Sequence, residues 1–111
     1  MSIVKEELSE STNGKPIVVS NASTNIHAWS SGVESVTLYA NNVTADDKWI
    51  TVAVGAVATV GEQILHEFVV TANSTKVLIT PDETLTGTVT ITAIGETASA
   101  VNITGSVIRR S

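Results

Sequence analysis

The 111-residue chain contains no cysteine. This excludes a disulfide framework and thiolate metal sites while leaving the compartment open, because a core of this size stands without crosslinks. Charge is scarce too: Asp, Glu, Lys and Arg make up 15% of the residues, against about 25% in an ordinary soluble domain. Much of the surface must therefore be neutral Thr, Ser and Asn, and such a surface resists association poorly unless an assembly covers it. The six Lys and Arg are dispersed at Lys5, Lys15, Lys48, Lys76, Arg109 and Arg110 in a chain of net charge −5, so binding to nucleic acid through its phosphates is not expected. No apolar run approaches the roughly 20 residues of a membrane-spanning helix. The least charged stretch, Trp49 to Gly61, is short and rich in Thr and Gly, and no membrane partner is expected. The N-terminal MSIVKEEL lacks the apolar core of a secretion signal, which predicts a protein made in the cytoplasm and not exported by a cleaved leader.

What the chain has instead is alternation with a period of two. Leu85, Gly87, Val89, Ile91 and Ala93 alternate with Thr84, Thr86, Thr88, Thr90 and Thr92. After a turn at Gly95-Glu96-Thr97, Val101, Ile103, Gly105 and Val107 alternate with Asn102, Thr104 and Ser106. An extended chain puts each set on its own face, and β-branched Thr suits the wet one. The two runs read as an antiparallel hairpin. Val36, Leu38 and Ala40 form a similar inward row opposite Ser35, Thr37 and Tyr39, and Ile50, Val52 and Val54 another, with Trp49 outward. Shorter strands are expected at Ile17 to Val19, behind Pro16, at Asn25 to Trp29, over Ile64 to Val70 and over Lys76 to Ile79, the last closed by a turn at Pro81-Asp82-Glu83. About eight strands at 8 to 12 residue spacing, without a helical period, predict an all-β, antiparallel two-sheet sandwich; jelly-roll and immunoglobulin-like topologies both fit, and the missing Cys-Trp-Cys signature of an immunoglobulin domain favours the jelly roll. Residues 1–14 are charged, then polar, and read as an extended N-terminal arm on a single sandwich domain of residues 15–111.

Reactive constellations are few. His27 and His66 each sit inside a strand pattern with no clustered third ligand, so neither zinc nor catalysis is expected, and in a regular strand His66 and Glu67 point to opposite faces. Asn41-Asn42 and Asp46-Asp47 are loop residues without the spacing of a calcium loop. Trp29 reads as a cap on an open end of the core. Trp49 reads equally as core or as an outward anchor. Tyr39 and Trp49 share outward parity, which suggests a sugar-binding platform as an alternative function, in a carbohydrate- or receptor-binding module of a phage tail or cell surface.

The run Gly14-Lys15-Pro16-Ile17-Val18-Val19, then Asn25-Ile26-His27-Ala28, Val33 to Asn42 and Ile50 to Gly55 resembles small capsid decoration, or cement, proteins of tailed bacteriophages. The resemblance implies a non-enzymatic β-sandwich without cofactor, located on the virion. Its partners would be copies of itself, with a trimer favoured, and the major capsid protein of a phage head. The implied subunit or shell interface comprises Ile3, Val4 and Leu8 of the arm together with Tyr39 and Trp49.

Overall fold

Val33 to Asn42, the most regular alternation in the chain, sets the frame. In the computed structural model, which describes residues 2–111 and leaves Met1 outside them, this segment is a ten-residue strand whose Glu34, Val36, Leu38, Ala40 and Asn42 are buried while the residues between them face outward. Around it lie β1 (Ile3–Glu7), β2 (Ile17–Val18), β3 (Thr24–Ala28), this strand as β4 (Val33–Asn42), β5 (Lys48–Val54), β6 (Gln63–Val70), β7 (Val77–Leu85), β8 (Thr90–Gly95) and β9 (Val101–Arg110). One sheet has the order β1-β9-β4-β7, with β2 also paired to β9, and the other the order β3-β8-β5-β6. All pairings are antiparallel. β4 pairs with β7 and β5 with β6, β3 pairs with β8, and β1 and β2 pair with β9. This nesting is a jelly roll, the topology favoured over the immunoglobulin-like one in the absence of a Cys-Trp-Cys signature. Ile26, Leu38, Ile50, Ile91 and Ile103 fill the space between the sheets and are fully buried.

Three local expectations change. The alternating runs at the C-terminal end are strands but not a hairpin: β8 pairs with β3 and β5, whereas β9 pairs with β1, β2 and β4. The Gly95 to Ala100 connection crosses between sheets. A period of two reports that one face is buried and is silent about the partner strand. The N-terminal segment, read as an arm, runs along the β9 edge as β1, from Ile3 opposite Arg110 to Glu7 opposite Ser106. Pro81 does not end its strand, because β7 continues through it to Leu85.

Pro81 is accommodated by a bulge, and the same device recurs on the other sheet. Along β4 and β7, Val36 faces Glu83, Leu38 faces Thr80 and Tyr39 faces Leu78. Along β5 and β6, Ile50 faces Phe68, Val52 faces Leu65 and Ala53 faces Gln63. The steps are identical, so each edge strand carries extra residues at the same two places. At the first of these, Asp82 (φ 48) and Glu67 (φ 45) take the left-handed conformation. The Asp82 amide donates to Thr37 Oγ1 at 3.3 Å and the Glu67 amide to Thr51 Oγ1 at 2.9 Å. Thr37, half-buried, and Thr51, buried, thus hold the bulges that keep both edges from offering a straight ladder to a further strand. The bulge also turns His66 and Glu67 to the same side, where they lie 3.6 Å apart as an exposed pair, contrary to the expectation for a regular strand. Gly105 marks a different constraint: β9 passes so close to β4 there that a Cβ would strike the Thr37 carbonyl.

Candidate functional site

Beyond β1 the chain leaves the first sheet and crosses the open side of the sandwich. Leu8 inserts into the core with 0% exposure. Ser9 then reaches β3, its amide donating to His27 Nδ1 at 3.0 Å and its hydroxyl accepting from the Ala28 amide at 2.8 Å. Since Nδ1 accepts, the ring proton sits on Nε2, which donates to Glu34 Oε1 at 2.7 Å. The other Glu34 oxygen accepts from the Ser30 amide at 3.2 Å and the Ser30 hydroxyl at 2.9 Å. Arg109 Nη1 donates both to Ser30 Oγ at 2.9 Å and to Glu6 Oε1 at 2.7 Å. One chain of hydrogen bonds therefore joins β1, β3, β4 and β9, and it lines an open cleft of ≈ 470 Å³ bounded by Glu6, Glu7, Leu8, His27 and Arg109 among others.

Burial of the Glu34 carboxyl would raise its pKa, but the hydrogen bonds from His27 and Ser30 outweigh burial and leave it below the ordinary 4.5. A carboxyl lowered in the folded state contributes stability that is fully present above its unfolded value and is lost as pH falls through the folded one. The urea midpoint is therefore expected to decline on acidification below pH 4.5; a midpoint constant across that range would show that Glu34 is not held as an ionised acceptor.

Sequence reasoning placed His27 as structural and did not single out Glu34, Ser30, Ser9 or Arg109. The available signal was Glu34 itself, an acid on the inward parity of an otherwise apolar strand, which requires a buried partner. Asn42, read as a loop residue, is likewise fully buried. Its Nδ2 donates to the carbonyls of Asp46 and Val70, and its Oδ1 accepts from the Thr44 amide and hydroxyl. The loop is organised by an amide, and among the described residues no cluster of acids and histidines is placed to hold a metal.

The five expected interface residues are dispersed. Leu8 belongs to the chain's own core. Ile3 and Val4 lie on β1 and are 65% and 41% exposed. Tyr39 faces out from β4, with Lys76 Nζ 4.4 Å from its ring centroid, while Trp49 faces out from β5 opposite Val69. β4 and β5 belong to different sheets, so the two aromatics look away from each other and do not build one sugar platform. Trp29 packs against the core and donates Nε1–H to the Gly32 carbonyl at 3.0 Å, as expected of a cap.

No family model and no curated protein matches this chain. A solved structure of Bacillus endospore appendages, a family of disulfide-linked pili, superposes with TM-score 0.57 at 15% identity, covering 96% of this chain and 86% of that one. The likeness is one of fold. It overturns the expectation of a phage head decoration protein, and with it the capsid partner, the favoured trimer and the virion location: the match is to a pilus rather than a capsid. The reason lies in what carried the earlier resemblance. Gly14 to Gly55 is a succession of strand and turn residues, and the inward row Val36, Leu38, Ala40 records burial in a jelly roll without recording what the outside touches. The cell-surface alternative lies closer to the match.

Proposed function

We propose that this chain is a structural subunit that polymerises with copies of itself into a surface appendage. The observation that carries the reading is a strip of exposed apolar side chains, with Lys5 and Arg110 set between them, on the outer face of the first sheet. Ile3, Arg110 and Val33 are cross-strand neighbours on β1, β9 and β4, and Lys5, Ile108 and Ser35 form the adjacent row. Ile3, Val33 and Ile108 are 65%, 38% and 37% exposed. In a chain with so few charges, a strip of this kind favours burial against another protein surface. The fold likeness to endospore pili supports the same reading. Those pili are disulfide-linked, whereas this chain has no cysteine, so its contacts are non-covalent.

Sedimentation velocity and negative-stain microscopy over a rising concentration series test it. Species that grow with concentration into fibres, unaffected by reducing agent, are the expected result. A monomer at every concentration overturns the reading.

A further inference from the structure

We propose that the repeating contact joins unlike surfaces: the apolar, basic corner around Ile3, Ile108, Lys5 and Arg110 in one copy packs on the bulged β6–β7 flank of the next. This rests on the polymerisation reading above and names the surfaces that would carry it. The corner lies on the β1 side of the first sheet, and β7 is the opposite edge strand of that sheet. Half of the chain's six cations, Lys5, Arg109 and Arg110, are at the corner. Arg109 is tied inward to Glu6, Lys5 and Arg110 face out between the apolar side chains, and Glu7 is the one acid on that face of β1.

The opposite flank has the complementary character. Phe68 and Leu78 are 36% and 50% exposed there, and the two bulges place Glu67 and Asp82 on the edge strands, both exposed. The flank's exposed cation, Lys76, is drawn over the Tyr39 ring. Apolar area on both surfaces supplies the driving force, and charge of opposite sign sets which surface meets which. Two corners, or two flanks, would set like charges against each other. A contact between different surfaces on opposite edges has no two-fold to close it as a dimer, and its repetition gives an open chain of subunits wherever the rotation per step does not close a ring. The bulges direct the contact to side chains, because a doubly bulged edge offers no regular ladder for an added strand.

The test is a pair of charge variants of the full chain, with circular dichroism confirming that each stays folded. Lys5→Glu/Arg110→Glu reverses the corner. Glu67→Lys/Asp82→Asn reverses the flank, and Asn tolerates the left-handed backbone at position 82. Each variant alone is expected to raise the protein concentration needed for assembly by about tenfold or more. An equimolar mixture is expected to recover assembly near the wild-type concentration, because each kind of junction then brings opposite charges together. Wild-type assembly with either variant assembling normally, or with a mixture that fails to recover, overturns this pairing of surfaces and leaves polymerisation standing. A wild-type chain that never assembles overturns both.

Discussion

Leu8→Ala is expected to lower the unfolding free energy by about 3 kcal/mol, seen as a reduced urea midpoint at unchanged slope. Leu8 comes from the segment read in the sequence as an extended arm, yet it is fully buried and is among the largest such side chains in the core. It closes the side of the sandwich between β1 and β3, so truncation leaves a cavity that the rigid sheets on either hand cannot collapse to fill. Ile3→Ala provides the contrast. Ile3 is on the same segment but 65% exposed, and its truncation is expected to change stability by no more than about 0.5 kcal/mol. Equal, small effects at both positions would mean that the N-terminal segment does not dock on its own subunit in solution.

Glu34→Ala is expected to cost about 2–4 kcal/mol, from the loss of charge-assisted hydrogen bonds and the buried donors left without an acceptor. The loss has two parts: the carboxylate's own hydrogen bonds disappear, and the His27 Nε2–H and the Ser30 amide lose their acceptor. Glu34→Gln separates them. It preserves the volume and one acceptor oxygen for His27, but turns an NH2 toward the Ser30 amide, so its cost is set by one unmatched donor, about 1–3 kcal/mol. The pH dependence identifies the cause. The gap between wild type and Glu34→Gln is expected to be widest above pH 4.5 and to narrow below it, as protonation removes the wild-type advantage. A gap independent of pH would assign the loss to packing instead of to the ionised carboxyl.

Much of the architecture was legible because burial in a two-sheet sandwich writes itself as alternation. The inward sets Val36, Leu38, Ala40 and Ile50, Val52 are buried, and the spacing of these runs pointed to a two-sheet sandwich. The pairing of β8 and β9 was not legible, since each strand's pattern is the same whichever sheet it joins. β1 was missed because an edge strand with one residue half-buried and the rest exposed carries no alternation to find.

The same distinction holds for the sites. By itself the sequence determined the class of fold, the absence of thiol chemistry and the low charge that favours association, because these depend on composition and on local period. Only the tertiary structure decided that Leu8 is core, that Tyr39 and Trp49 face apart, and that Glu34, His27, Ser30 and Arg109 form one network. Those facts depend on which strands lie side by side, and strand pairing is set by packing between residues as distant in the chain as Glu6 and Arg109, which no local pattern encodes.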